Sequence, residues 1–252
     1  MAQFNYVEET KASGQQMEHR KILYDLFSER PLPDDQLLTN LGLYMRSSAV
    51  AKILFINELY ELIKDVPGVI MEFGTWWGQN LVLFENLRAI YEPFNQNRRI
   101  IGFDTFKGYP NISSKDKESQ TIKIGGYTVC EGYKDYLVRL LAYHEGNNVL
   151  GNIKKTSLVE GDISKTVSGY FTEHPETIVA LAYIDVALYE PTRKCLEAIK
   201  PHLIKGSVVM FDELNSPEYP GETIAFKEVF HDMNLTLTQS RYMRDRTIAI
   251  VG

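Results

Sequence analysis

The stretch Val69-Ile70-Met71-Glu72-Phe73-Gly74-Thr75-Trp76-Trp77-Gly78-Gln79-Asn80 decides how this chain is read. A short apolar run ends in an acid and a glycine-flanked turn, and helical spacing follows in Leu81, Phe84, Leu87, Ala89 and Ile90. Strand, tight turn and helix N-terminus form the local shape that receives a nucleotide-like ligand. The glycines let backbone approach the ligand, and the first free helix N–H groups can face it. The spacing Gly74-x-x-x-Gly78 is not the Gly-x-Gly-x-x-Gly of a pyrophosphate-binding dinucleotide site. It suits a ligand with a smaller charged portion, and equally a purely structural turn. Glu72, at the end of the strand, could hold an ammonium group or accept from a backbone amide.

Outward from this turn, apolar runs alternate with helical patterns. Strands are predicted over 69–73, 100–103, 156–160, 178–184 and 207–211, and helices over 80–91, 133–145, 164–173, 192–200 and 224–232. Parallel strands need crossover connections, so the alternation predicts an α/β, doubly wound, mostly parallel sheet covered on both faces. Two further β-rich segments, 235–242 and 247–251, flank Met-Arg-Asp-Arg and read as an antiparallel C-terminal hairpin, seven strands in all. Before Pro67-Gly68 the pattern is helical: residues 21–30, then 36–66 interrupted at Met45-Arg46-Ser47-Ser48. Arg46 there could reach a ligand or simply lie exposed. Residues 1–66 are therefore an expected N-terminal helical extension, loose over 1–20, and 67–252 the main domain. Residues 107–155 are too long for a plain crossover, and a lid contributing substrate contacts competes with a passive insertion.

At 252 residues and 44% hydrophobic, the chain can bury a full core. Its net charge of −6 argues against a general nucleic-acid binder, which needs a basic stripe. No apolar run approaches the ~20 residues of a bilayer span, and no signal peptide opens the chain. Cys130 and Cys195 do not form a disulfide framework. The expectation is a soluble cytoplasmic protein, with the apolar N-terminal helices favouring a homo-oligomer.

Acids cluster at the predicted strand ends. Asp104, with Thr105 behind it, stands where a ribose diol is gripped, because a carboxylate accepts two hydroxyl hydrogen bonds in fixed geometry. Asp162 could accept from an exocyclic amine such as that of adenine while Ile163 packs on the ring; it could also cap a helix. Asp185, Asp212 and Glu213 emerge on one C-terminal sheet edge if their strands are central. Three converging acids repel unless a cation sits among them. Oxygen-only ligands indicate Mg²⁺ or Ca²⁺, against the alternative of separate caps and loop acids.

Glu72-Phe-Gly-Thr-Trp-Trp-Gly78, Phe103-Asp-Thr-Phe-Lys-Gly-Tyr-Pro110, Tyr183-Ile-Asp-Val-Ala-Leu-Tyr-Glu-Pro-Thr192 and Met210-Phe-Asp-Glu213 together resemble the macrocin O-methyltransferase (TylF) family, over residues 67–230. The resemblance implies a class I methyltransferase, Rossmann-like, that transfers methyl from S-adenosylmethionine to sugar hydroxyls of natural products. It implies that Glu72, Gly74, Thr75, Trp76, Gly78 and Asn80 frame the methionine part of the cofactor. Asp104 and Thr105 would hold the ribose, Asp162 and Ile163 the adenine, and Asp185 would border both substrates. Asp185, Asp212 and Glu213 would match Mg²⁺ ligands, with Glu213 standing for an aspartate. The family often carries a second acid two residues beyond Asp185, assigned in some members as the general base. This chain has Ala187. His144 and His231 are the alternative candidates for the base, beside a water or the substrate itself. The expected function is a metal-assisted O-methyltransferase acting on a nucleotide sugar or a glycoside. A metal-independent small-molecule methyltransferase and a catalytically inactive cofactor-binding module are the rivals.

Overall fold

A computed structural model describes residues 12–119 and 122–252. The expected looseness of residues 1–11 lies outside the described residues. From there the chain runs α1 (Gly14–Ser28), α2 (Asp34–Leu37), a 3₁₀ turn (Leu41–Tyr44), α3 (Ser47–Ile63), β1 (Val69–Phe73), α4 (Gln79–Tyr91), β2 (Ile100–Asp104) and α5 (Tyr133–Asn147). It continues through β3 (Thr156–Glu160), α6 (Ile163–Glu173), β4 (Val179–Ile184), α7 (Tyr189–Ile199), β5 (Leu203–Phe211), α8 (Pro220–Val229), β6 (Leu235–Gln239) and β7 (Thr247–Val251).

The seven strands form one sheet in the order β3-β2-β1-β4-β5-β7-β6. β1 to β5 are parallel, and β7 pairs antiparallel with both β5 and β6. The predicted doubly wound sheet with an antiparallel C-terminal hairpin is thus the observed fold. Side chains alternate across it. Met71, Phe73, Ile184 and Phe211 face α6, α7 and α8, packing on Val167, Leu196 and Phe230. Ile70, Tyr183 and Met210 face α3, α4 and α5, packing on Phe55, Leu59, Phe84 and Leu137.

Three helix starts differ from the expectation. α1 begins at Gly14 rather than near 21, because Ser13 and Gln16 form a reciprocal capping box. α7 and α8 begin early because Pro191 and Pro220 sit in their first turns, where a missing N–H costs nothing. The stretch 36–66 is broken more than predicted: α2 ends at Leu37 and α-helix resumes only at Ser47. Both cysteines are free. No helix among the described residues is long and apolar enough to cross a membrane.

Candidate active site

The strand ends of β1, β4 and β5 are held level by ladder bonds that continue past the strands. Asp185 N–H donates to Phe73 O at 2.9 Å, and Asp212 N–H to Ile184 O at 3.1 Å. Above that edge opens a cleft of about 1370 Å³, large enough for two small molecules side by side. One end is bordered by Gly74, Trp76, Asp104, Thr105, Asp162 and Ile163, and the middle by Asp185, Ala187, Asp212 and Glu213. The first half of the insertion, including Tyr109, Ser113, Asp116 and Tyr127, forms one wall.

Gly74 has φ +94, and a Cβ there would fall 1.9 Å from Asp185 O. Only a residue without a side chain lets β1 and β4 approach this closely while opening backbone to the cleft. Asp104 ties two loops together: Oδ2 accepts Trp76 N–H at 2.7 Å and Oδ1 accepts Phe106 N–H at 2.6 Å. Each oxygen retains a lone pair for a diol. Asp162 is the N-cap of α6, accepting from Ser164 N–H at 3.1 Å, and also lines the cleft. The helix-cap reading is observed, and the residue's place on the cleft leaves the adenine reading open to proposal.

The remaining turn residues are not at the cleft surface. Glu72 is fully buried beneath it, with Oε1 accepting from Asn80 Nδ2 at 2.7 Å. Burial pushes its carboxyl up to about 8, against the Asn80 bond and Lys52, which lower it. The alternation of β1 explains this: Glu72 shares the Ile70 face and points under α4. Thr75 is buried, with its Oγ1 on Phe103 O at 3.5 Å. Gly78 is the left-handed N-cap of α4, where a Cβ would strike Leu137. Glu72, Thr75, Gly78 and Asn80 therefore lie beneath the turn and not among the residues that line the cleft.

The acids do converge. Burial, then Asp212, pushes Asp185 to about 7. Burial, then Asp212, pushes Glu213 to about 8. The expected cation among them is partly a side chain: Arg246 Nε is ion-paired with Asp212 Oδ1. Lys52, from α3, lies below, donating to Tyr183 OH at 2.5 Å. Neither cation was read from the sequence. Arg246 sat in a run that signalled only a turn, and Lys52 in an ordinary helix. For Mg²⁺ the donor chemistry fits, with carboxyls pushed up first by burial and then by one another. Among the described residues, however, no three such side chains are drawn together as a ligand group.

Neither histidine borders the cleft. His144 lies on α5 beside Tyr143, with ring centroids 5.3 Å apart, and His231 Nδ1 is 2.9 Å from Glu228 O. His144 sits in the last turn of α5 and His231 just past the end of α8, so neither expected base is among the residues that line the cleft. Ala187 borders the cleft at φ +58, inside a tight turn in which Leu188 N–H donates to Val186 O at 2.5 Å.

A family model described as macrocin-O-methyltransferase (TylF) matches residues 55–237. A curated relative, the 8-demethyl-8-(2,3-dimethoxy-alpha-L-rhamnosyl)-tetracenomycin-C 4'-O-methyltransferase of Streptomyces olivaceus, is 25% identical over 165 residues. That match covers 60% of this chain and 55% of the relative, so only about half of the relative's length is spanned. The crystal structure of CalS11, a calicheamicin methyltransferase, is 40% identical with a TM-score of 0.88, covering 98% of this chain and 95% of that one. The apo structure of CalS11, described as a TDP-rhamnose 3'-O-methyltransferase, is 38% identical with a TM-score of 0.80, covering 98% and 96%. The O-methyltransferase NovP, 18% identical with a TM-score of 0.59 over 80% of both chains, shares the fold.

Proposed function

The chain belongs to the macrocin O-methyltransferase (TylF) family and is a methyltransferase, and we propose that it methylates a sugar hydroxyl using S-adenosylmethionine. The acceptor is a deoxyhexose-type sugar carried on a nucleotide or on a natural-product aglycone. The observation that carries this reading is the division of one cleft into two parts. At one end Gly74, Asp104, Asp162 and Ile163 offer open backbone, a diol acceptor and an adenine edge. In the middle stand the acids of β4 and β5. The 40% identity to a sugar methyltransferase across nearly the whole chain supports the acceptor class.

Gly74, Trp76, Asp104, Thr105, Asp162 and Ile163 would hold S-adenosylmethionine, which supplies an electrophilic sulfonium methyl when bound. Asp104 fixes the ribose end by accepting its hydroxyls, while the N–H groups of Trp76 and Phe106 hold the carboxylate in place. Asp185 borders both halves and orients the attacking hydroxyl towards the donor end. Asp185 and Glu213 line the middle of the cleft and are the carboxylates placed to accept the hydroxyl proton, since Ala187 offers none. Asp185, Asp212 and Glu213 would be the residues to hold Mg²⁺ if they close on it, and it would acidify and orient neighbouring hydroxyls. The Arg246–Asp212 pair favours a second reading, the same transfer without metal.

Residues 67–252 carry the transfer in this proposal, with 107–155 as a lid and 1–66 as a helical extension whose last helix, α3, packs on the sheet. The extension also joins two copies of the chain. In support, α1 has no buried residue, and Ile22, Leu26, Leu38 and Leu43 are 53%, 56%, 77% and 64% exposed. The deciding experiment is a methyl-transfer screen over nucleotide sugars and glycosides, with and without EDTA. Transfer abolished by EDTA and restored by Mg²⁺ supports the metal-assisted form, and transfer indifferent to EDTA the second reading. No transfer to any sugar would sink both.

A further inference from the structure

The Gly125-Gly126-Tyr127 run and the Lys107-Gly108-Tyr109 run meet inside the insertion. Lys107 bridges Thr128 in antiparallel fashion. Tyr109 N–H donates to Gly126 O at 3.0 Å, and Tyr109 O accepts from Gly125 N–H at 2.9 Å. Gly108 has φ +75, and a Cβ there would fall 2.2 Å from Gly126 O, so the two runs touch only because glycine stands between them. Both backbone polar groups of Tyr109 are therefore clamped, and its side chain is presented to the cleft.

The Tyr109 ring packs edge-on to Tyr127, centroids 5.5 Å apart, and Tyr127 packs in turn on Trp76 at 5.8 Å. Burial pushes the phenol well above its ordinary range. Tyr127, Asp185, Tyr219 and Glu213 add to the rise. At neutral pH it is therefore a hydrogen-bond donor and not a base. Among the described residues, no side chain or backbone group bonds to this hydroxyl. A donor on clamped backbone, with no protein partner among the described residues, thus lines the same cleft as Asp185 and Glu213.

We propose that Tyr109 is a specificity residue of the acceptor: its hydroxyl bonds the sugar, and the Tyr109–Tyr127 ring pair covers an apolar face of the pyranose. A cleft lined by both aromatic rings and carboxylates matches a pyranose, whose ring face is apolar and whose rim is hydroxylated. The assignment rests on the sugar-methylation reading. It adds to that reading the residue that meets the acceptor, in a loop apart from the donor end.

Three proteins test it: the wild type, Tyr109→Phe and Tyr109→Ala, each with S-adenosylmethionine and either TDP-rhamnose or methyl α-L-rhamnoside as acceptor probe. Tyr109→Phe is expected to raise the acceptor KM about tenfold, the effect of one lost hydrogen bond. Its S-adenosylmethionine affinity and melting temperature should match the wild type. Tyr109→Ala is expected to lose a further factor of about ten with the ring contact. If Tyr109→Phe keeps the wild-type acceptor KM and kcat, the hydroxyl contact is overturned. If it weakens donor binding as much as acceptor use, the residue is structural and the proposal is likewise overturned. A wild type that methylates neither probe nor any other sugar would bring down the sugar reading first, and this assignment with it.

Discussion

Arg246 stands opposite Asp212 because β5 and β7 pair antiparallel with Phe211 facing Thr247, which makes the next pair along the ladder the ion pair itself. The side chains are 17% and 9% exposed, so neither charge is well solvated. Arg246→Met should leave Asp212 as a buried, uncompensated acid and cost about 3–5 kcal/mol, read as a fall in denaturation midpoint. Adding Asp212→Asn should recover much of that loss. A single mutant as stable as the wild type would show that the pair contributes nothing.

Gly74→Ala tests the close approach of β1 and β4. The new Cβ has backbone in its way, not a flexible side-chain tip, so the turn must move. Titration calorimetry should show S-adenosylmethionine affinity reduced more than tenfold, with lowered stability. Unchanged affinity would separate the turn from donor binding.

Glu72 sets a pH dependence of stability. Burial pushes its carboxyl up to about 8 in the fold, from about 4.5 for an exposed glutamate. The folded state holds a proton that the unfolded chain releases. The associated stability is therefore complete below about pH 4.5 and is lost as pH rises through about 8. Unfolding free energy of the ligand-free protein should fall by a few kcal/mol from about pH 5 to about pH 8. Glu72→Gln should lessen that slope while keeping the Asn80 contact, as seen in urea unfolding at a series of pH values. An identical slope in the variant would rule Glu72 out as its source.

His144 and His231 lie away from the cleft, so His144→Ala and His231→Ala should each keep kcat within about twofold. A loss on the order of a hundredfold in either would return that histidine to the role of base.

Assembly through the N-terminal arm predicts a concentration-dependent dimer in light scattering. Exposed apolar side chains on α1 supply the contact, so Ile22→Lys combined with Leu26→Glu should yield monomers with an unchanged melting profile at low concentration. A wild type that is monomeric throughout would remove the arm from this role.

The sequence by itself determined the sheet, its order of elements and the level of its acids. Apolar runs of strand length alternating with helical spacing have few solutions, and a strand's last residue falls at the sheet edge wherever that strand lies. Asp104, Asp162, Asp185, Asp212 and Glu213 all line the cleft as expected. Which turn residues face a ligand was not legible. Glu72 and Asn80 look like contacts along the chain, yet the pleat of β1 turns Glu72 under α4. Only tertiary structure decided what neutralises Asp212 and what joins the acids around the cleft. Arg246 arrives there through antiparallel register, Lys52 from a helix more than a hundred residues away in the chain, and Tyr109 through glycine contact within the insertion. Period and turn chemistry are local and survive in the linear chain. The meeting of distant side chains depends on register and packing, which no local pattern encodes.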